Sequence, residues 1–368
     1  MIQQNYFSRL EISLSACKEN LSYFRSKLLP STKMLILVKA NAYGHGSVEF
    51  SRIMESAGAD WLGVAFPSEG AELRKAGVKL PILVLTSGMK HFDEIVDYSL
   101  EPGIPNLSSL KMLVNLLRER DITDFPIHIN LDTGMHRLGF MTHEIAPLLD
   151  YLLTCPQVRV ASLYSHLAAS DAPEQDEFTY SQARMFKENA DRISAALGYK
   201  PMYHLLNSAG IERFPQYQFD MVRLGIGIYG ISALPGVHLA PAASLKGKIL
   251  QIKTLKSSDG TVGYGRQGSI APEGSRIATI SLGYADGIDR HLGCGRASFN
   301  VNGHRAPTIG RICMDMCMLD ISGIPAKEGD TVTIFGDDPR PEELAEILDT
   351  IPYELMTGVN VRVRREVF

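Results

Sequence analysis

The residue that first suggests chemistry is Lys39, which follows the apolar run Met34–Val38 and precedes the segment 40–46, ANAYGHG. A lysine placed among apolar neighbours loses hydration, so its pKa falls and its amine can form a Schiff base with a carbonyl compound. A solvated lysine that merely ends a strand is the commoner situation. The position alone therefore only suggests Schiff-base chemistry, and other residues have to support it.

Polar side chains also follow other apolar runs that read as strands. A hydroxyl such as that of Ser208, with backbone N–H groups around Gly225, would form a cradle for a phosphate group. Each residue alone reads as a cap or turn residue, whereas several complementary strand ends favour one shared site. The residues are Asp132 to Arg137 after the fifth run, His166 after the sixth, Asn207 and Ser208 after the seventh, and Arg223, Gly225 and Ile226 at the eighth.

The elements that would position these groups follow from the pattern up to about residue 240, where short apolar runs alternate with amphipathic stretches. This alternation is typical of parallel strands joined by helices. Eight such units predict an α/β fold, a (β/α)8 TIM-type barrel with catalytic groups on loops after the strands' carboxyl ends. The predicted strands are Met34–Lys39, Trp61–Ala65, Ile82–Leu85, Leu100–Ile104, Ile127–Leu131, Val158–Tyr164, Tyr203–Leu206 and Met221–Gly225.

Beyond residue 241 the apolar residues recur with a period near two, and turn dipeptides such as Asn302-Gly303 separate them. This pattern predicts a C-terminal β-rich domain. We place the barrel at residues 1–241 and the β-rich domain at residues 242–368, with the first ~10 residues as candidates for the β-rich domain. One helix is predicted over Glu342–Thr350, because Pro341 stands near its start and Pro352 follows it.

Composition narrows the class of partner. The net charge is −4 and the basic residues are scattered, so the chain lacks the basic face that nucleic acids or anionic membranes require. Apolar runs of about five residues are too short to span a bilayer, and no secretory leader is recognisable, so we expect a cytoplasmic protein. Five cysteines without a CxxC pair argue against a disulfide framework and a zinc site. A small-molecule ligand and no metal are predicted.

The motifs taken together resemble the alanine racemase family, nearly from end to end and in order. The resemblance implies a barrel plus a β-domain, a pyridoxal 5'-phosphate (PLP) cofactor and a homodimer with shared active sites. The residues that carry it are 38–46 (VKANAYGHG), 132–135 (DTGM) with 137–139 (RLG), His204 with 207–209 (NSA), 221–223 (MVR) with Gly225, 263–265 (GYG), 283–287 (GYADG), 310–311 (GR) with 313–315 (CMD), and Tyr353-Glu354.

The resemblance also implies roles for single residues. Lys39 would hold PLP and act as one base, and Tyr264 of the other subunit would be the opposite base, tuned through His166 and Arg290. Arg223 would face the pyridine nitrogen, where a guanidinium can only donate and so weakens PLP as an electron sink. The remaining cofactor contacts would be Tyr43, Asn207, Ser208, Gly225, Ile226 and Tyr353, and the substrate contacts Arg137, Met314, Asp315 and Tyr284.

One position departs from the family pattern. Many members carry a lysine, which is carbamylated, two residues before the aspartate of the DTGM motif, and this chain has Asn130 there. The carbamate's negative charge, which would pair with Arg137, is therefore missing. We expect a small anion such as chloride to lie between Asn130 and Arg137, and an arrangement held by ordered water is the alternative.

Other readings stay open. A racemase of the same family with broader specificity or a preference for serine shares the chemistry, although Tyr353 and Tyr284 suggest a narrow entry that suits alanine. A non-catalytic PLP-binding barrel would lack Tyr264 and the β-domain, and a related PLP-dependent decarboxylase would end in different motifs. Without the resemblance, a barrel aldolase with a lysine amine would be the first choice. Supply of D-alanine to the cell wall and alanine catabolism are not distinguished.

Overall fold

The computed structural model describes residues 7–87 and 92–368. The strands, in chain order, are β1 Arg9–Ile12, β2 Lys33–Leu37, β3 Trp61–Val64, β4 Ile82–Val84, β5 Glu101–Ile104, β6 Phe125–Asn130, β7 Val158–Tyr164, β8 Met202–His204, β9 Met221–Leu224, β10 Ala243–Leu255, β11 Thr261–Val262, β12 Gly268–Ser269, β13 Ser275–Ile280, β14 Ser298–Val301, β15 His304–Pro307, β16 Cys317–Asp320, β17 Thr331–Phe335 and β18 Arg364–Val367.

The helical segments follow the strands in the order that the sequence pattern predicts. They are α1 Leu14–Ser26, α2 Lys39–Tyr43, α3 Ser47–Ser56, α4 Pro67–Lys75, α5 Phe92–Asp97, α6 Leu107–Glu119, α7 Ile145–Leu152, α8 Asp176–Leu197, α9 Ser208–Arg213, α10 Pro341–Ile347 and α11 Pro352–Thr357. Of these, α2 is a short left-handed turn, because Ala40, Asn41 and Ala42 all have positive φ.

Strands β2 to β9 form a closed parallel barrel in which β9 pairs with β2. The predicted barrel is confirmed, and each predicted strand lies within two residues of the observed one at both ends. Barrel strands such as β4 and β9 are buried along their whole length, as expected for a parallel sheet covered on both faces. The alternation of apolar runs and amphipathic stretches therefore was a sufficient signal for this fold.

The chain divides into two compact units. Residues 18–42, 47–87 and 92–239 form the unit that contains the barrel, and residues 7–17, Tyr43–Gly46 and Ala240–Phe368 form the other. In the second unit the main sheet has the order β15-β14-β17-β10-β1-β18, so the predicted β-rich domain is confirmed. Strand β1 pairs with β10 and β18, while residues 1–6 lie outside the described part of the chain.

Two local predictions in the second unit have different outcomes. The Asn302-Gly303 turn joins β14 to β15, and both residues have positive φ, as a two-residue hairpin requires. The single helix Glu342–Thr350 is wrong in extent, because α10 ends at Ile347 and Pro352 begins α11. Proline suits the first turn of a helix, where a backbone N–H would have no intrahelical partner. Pro352, which was interpreted as the end of one helix, is therefore the start of the next.

Within residues 7–87 and 92–368, no helix combines the length and the apolar character needed to cross a bilayer.

Gly44 gives a stability test. Its φ is +86°, its carbonyl accepts two hydrogen bonds from Arg365, and a Cβ there would lie 2.2 Å from the carbonyl oxygen of Met356. Gly58 has a φ of +89° with nothing within 4 Å of the same position, so it is the matched control. We expect Gly58→Ala to cost about 1–2 kcal/mol from backbone strain alone, and Gly44→Ala to cost about 3–5 kcal/mol because backbone must also move. Urea unfolding measures both, and equal losses would contradict the packing argument.

Candidate active site

Lys39 follows directly on the barrel strand β2, although that strand ends at Leu37 rather than at Lys39 as predicted. The next three residues have φ values of 51°, 55° and 51°, each costing roughly 1–2 kcal/mol for a residue with a Cβ. Hydrogen bonds stabilise this turn: Ala40 N donates to Glu69 Oε1 at 2.7 Å and Ala42 N to the carbonyl of Val38 at 2.9 Å. Strain of this kind is concentrated at functional sites.

The amine of Lys39 makes no hydrogen bond or ion pair with the described residues. Burial lowers its pKa, the positive charge of Arg137 lowers it further, and Glu69 partly opposes the change. A lysine whose ammonium form is destabilised keeps a larger fraction of free amine, which is the nucleophilic and basic form. The structure thus provides the desolvated lysine that the sequence suggested.

Arg223 is the main polar group inside the barrel, only 2% exposed on strand β9. Its Nη1 donates to the carbonyl of His204 at 2.9 Å and to His204 Nδ1 at 3.0 Å, and its Nη2 donates to the carbonyls of Ser165 and Leu205. Burial lowers its pKa to about 10, so it stays protonated at neutral pH. Among the described residues, no acceptor pairs with its Nε–H.

Ser208 lies beside the backbone turn at Gly225, where the sequence predicts a phosphate cradle. Its Oγ accepts from the backbone N–H of Gly225 at 3.0 Å and of Gly227 at 3.1 Å, where Ile226 begins a short 3-10 turn. An oxygen that accepts two hydrogen bonds still has its own hydroxyl hydrogen to donate. The arrangement therefore offers one directed donor beside a tight backbone turn.

Asn207 has a structural task at the same place. It is the N-cap of α9, and its Oδ1 accepts from Gly210 N and from Ser170 Oγ, both at 2.8 Å. A side-chain oxygen at this position satisfies a backbone N–H that the first helical turn leaves unpaired. The side-chain oxygen of Asn207 thus already accepts two hydrogen bonds, and the side-chain N–H2 group is the part available for a ligand.

His166 lies near Arg223, with 3.5 Å between its Nδ1 and Arg223 Nη2. Burial, followed by the positive charges of Arg223, Arg137 and Lys39, lowers the pKa of His166 to about 3. The imidazole is therefore neutral at physiological pH. The same interactions show that Lys39, Arg137, His166 and Arg223 share one electrostatic environment within the barrel unit.

The loop after β6 presents Arg137. Asp132 fixes the loop by accepting from Gly134 N at 2.9 Å and His136 N at 3.0 Å. Arg137 itself is exposed and makes no hydrogen bond or ion pair with the described residues, and the Asn130 side chain makes none either. A Cβ at Gly139 would lie 3.2 Å from Asn130 Cγ, so the loop packs closely against this amide.

The second unit holds the other predicted residues. Tyr264, Tyr284 and Arg290 line one open cleft together with Cys313, and Tyr264 is 69% exposed. The Tyr43 and Tyr353 rings are in contact, with centroids 5.8 Å apart. Burial, and then Tyr353, raise the pKa of Tyr43 above its ordinary value. Five of the predicted residues of this unit therefore lie either in one cleft or in one aromatic pair.

Met314 and Asp315 follow the cleft residue Cys313. The carbonyl of Met314 accepts from Ala285 N at 3.0 Å. Asp315 is paired with Arg362 at 2.8 Å, and Arg362 also bonds Asp286. Sequence reasoning missed Arg362, because nothing in the run 360–366 separates a structural arginine from its neighbours.

The neutral state of His166 has a consequence for acid stability. Its pKa is about 3 in the folded chain against about 6.5 when unfolded, so below pH 6.5 the unfolded state binds a proton that the folded state does not. Stability should fall as pH drops from about 6.5 toward 3, and His166→Gln should make that fall shallower by up to about 1.4 kcal/mol per pH unit.

Urea midpoints at a series of pH values check this, with the exposed His143→Gln as control. An unchanged slope in His166→Gln would show that His166 takes up protons in the folded state.

Comparisons with known proteins agree with this geometry. The family model described as the N-terminal domain of alanine racemase matches residues 12–233, and the model of its C-terminal domain matches residues 242–367. The alanine racemase of Nostoc sp. is 36% identical to this chain over 97% of the chain and 94% of its own length.

Solved structures give the same result. The alanine racemase of Clostridium difficile has a TM-score of 0.93 at 30% identity, with 99% of this chain and 96% of that chain covered. The Bartonella henselae alanine racemase, solved with covalently bound pyridoxal phosphate, has a TM-score of 0.88 at 27% identity and covers 99% and 100% of the two chains. The chain therefore belongs to the alanine racemase family of isomerases.

Proposed function

We propose that this chain interconverts L-alanine and D-alanine with pyridoxal 5'-phosphate as cofactor. The observation that carries the proposal is the barrel site: a lysine amine with a lowered pKa shares one electrostatic environment with Arg137, His166 and Arg223. Family membership supports the same activity, since the curated relatives are named alanine racemases. A racemase of the same family that accepts other amino acids is the second candidate.

The residues of the barrel unit fit this cofactor. The Nε–H of Arg223 is a buried donor without a partner among the described residues, which suits the lone pair of an unprotonated pyridine nitrogen. Ser208 keeps a hydroxyl hydrogen for a phosphate oxygen, next to the Gly225–Gly227 backbone turn. Tyr43, Tyr353, Ile226 and the Asn207 amide would complete the phosphate contacts. When bound, the cofactor acidifies the Cα–H of the substrate amino acid.

Racemisation needs a proton acceptor on one face of the substrate Cα and a donor on the other. Lys39 would serve one face, because its lowered pKa keeps free amine available. Tyr264 of a second subunit would serve the opposite face, with Arg290 beside it in the same cleft. His166 would remain neutral in this arrangement and act as a hydrogen-bonding group.

Arg223 would suppress side reactions. A guanidinium has only donors and stays protonated. The ring nitrogen opposite it must therefore accept a hydrogen bond and remains unprotonated. The site therefore stabilises negative charge at Cα only moderately, which favours rapid return of the proton over side reactions such as transamination.

The substrate carboxylate would be held by Arg137, with Met314, Asp315 and Tyr284 around the entrance. Arg137 is a cation without a protein partner among the described residues, and Asn130 supplies no charge. A small anion such as chloride would fill the place between them, held by the Arg137 guanidinium and the Asn130 N–H2 group. This explains how Arg137 can be positioned without a carbamylated lysine.

The shared-site arrangement is tested by subunit complementation. Lys39→Ala and Tyr264→Phe should each lower racemisation by at least about 10³-fold, because each removes one of the two bases. Mixed and refolded together, they should regain activity, since half of the sites in a heterodimer would be intact. The assay is circular dichroism of alanine with added PLP, and Lys18→Ala is the exposed control. Demonstrable heterodimers without regained activity would contradict a shared site.

The anion proposal is tested by exchanging the halide. Crystals grown with bromide should show anomalous signal beside Arg137 and Asn130, and racemisation should depend on halide and be independent of bicarbonate. Asn130→Asp is the informative variant, because its charge should replace the anion and abolish the halide dependence. A water-like peak with rates unchanged in halide-free buffer would exclude the anion.

A further inference from the structure

A row of buried polar side chains continues from Arg223 through the inside of the barrel. His204 Nε2 is 2.6 Å from Ser162 Oγ, Ser162 Oγ is 2.5 Å from His128 Nδ1, and His128 Nε2 is 2.8 Å from Glu101 Oε2. His128, Ser162 and His204 have no exposed surface. The strands align these residues, since His128 is in register with Ser162 on the neighbouring strand.

The hydrogen-bond direction in this row follows from its two ends. Arg223 can only donate, so His204 Nδ1 must accept and its hydrogen must be on Nε2. That N–H donates to Ser162, whose own hydroxyl can donate to His128 Nδ1. In this arrangement His128 carries its hydrogen on Nε2 and donates to Glu101, which as a carboxylate can only accept, whereas an imidazolium at His128 would donate to both Ser162 and Glu101.

Both ends of the row are charged. Burial would raise the pKa of Glu101, but His128, through its hydrogen bond and its electrostatic effect, the hydrogen bond from Trp61 and the charge of Arg159 lower it below the ordinary value, so it is a carboxylate. Burial and then the charge of Arg223 place the pKa of His204 well below its ordinary value, so this ring is neutral. Arg223 itself has no ion pair among the described residues, although a buried cation without compensating charge is costly.

We propose that Glu101 is the counter-ion of Arg223 and acts on it through the one-directional row Glu101–His128–Ser162–His204–Arg223. Glu101 is then a positioning residue, which never contacts the cofactor but keeps Arg223 charged and oriented toward the ring nitrogen. The inference rests on the proposed function for its role toward the cofactor, whereas the charge pairing itself is a property of the chain alone.

The row predicts how many hydrogens the two histidine rings carry in each variant. Arg223→Glu would put an acceptor at both ends, so His204 Nδ1 and His128 Nε2 must both carry hydrogen. The single hydroxyl hydrogen of Ser162 can serve only one of the two inner ring nitrogens. One histidine must then be doubly protonated. Adding Glu101→Gln removes this requirement, because an amide can also donate to His128 and reverse the row.

The first readout is nitrogen NMR of the full-length chain labelled with ¹⁵N-histidine, with and without added PLP. In the wild-type chain, His128 and His204 should both be neutral with hydrogen on Nε2. Arg223→Glu should show one imidazolium in the row at neutral pH, and Arg223→Glu with Glu101→Gln should show none. An Nδ1-protonated ring in the wild-type chain, or no imidazolium in Arg223→Glu, would overturn the proposal.

The second readout is the melting temperature. Glu101→Gln should change it in opposite directions in the wild-type chain and in Arg223→Glu. Glu101→Gln keeps the acceptor oxygen for His128 and Trp61 but removes the charge, so it should lower the melting temperature of the wild-type chain. In Arg223→Glu it should raise the melting temperature, because two carboxylates no longer share the row. A change of the same sign in both backgrounds would mean that Glu101 has only a local structural role.

An exposed glutamate variant and a second Arg223 variant serve as controls. Glu119→Gln, at an exposed glutamate, should leave both backgrounds unchanged. If Arg223→Glu does not fold, Arg223→Met replaces it, and there Glu101→Gln should lose its destabilising effect; a retained effect overturns the proposal. Neither readout uses racemisation, so a failure of the proposed function is recognised separately, by the absence of alanine racemisation in the wild-type chain.

Discussion

The structure depends on one buried guanidinium. Arg223 lies on a barrel strand, 2% exposed, and each of its hydrogen-bond partners among the described residues accepts from it. Because a guanidinium has no acceptor atoms and stays charged, its surroundings must supply oxygen and nitrogen lone pairs. They do so with the carbonyls of Ser165, His204 and Leu205 and with Nδ1 of His204. Among the described residues, the Nε–H is the one N–H that they leave, and a cofactor with a ring nitrogen can use it. The character of the site is therefore set inside the barrel as much as at its mouth.

The same positive charge affects the neighbouring groups. With burial, it lowers the pKa of His166 and of His204, so both rings are neutral bases of very low strength. Lys39 is affected in the same sense by Arg137. A site crowded with positive charge favours neutral amines and neutral imidazoles, and it attracts anionic groups such as phosphate and carboxylate. These are the two anionic groups of an amino acid bound together with pyridoxal phosphate.

The sequence was informative where a local pattern determines structure. Eight apolar runs were enough for the barrel strands, because burial on both faces leaves a continuous apolar signature. The sequence also indicated Lys39 and Ser208, which stand next to strand ends. It failed for Pro352, since a proline can follow one helix or begin another, and only the tertiary packing decides. It also gave no role to Glu101, His128 and Ser162, whose relation to Arg223 exists only after β5, β6, β7 and β9 close into a barrel.

In the proposed reaction, two different groups exchange the Cα proton of alanine on opposite faces. The most direct test is to incubate L-alanine with the chain and pyridoxal phosphate in D₂O and to analyse both enantiomers at low conversion. Two bases predict that D-alanine is formed with deuterium at Cα while the remaining L-alanine keeps mostly protium. D-alanine that retains the original proton, or no D-alanine at all, would contradict the account.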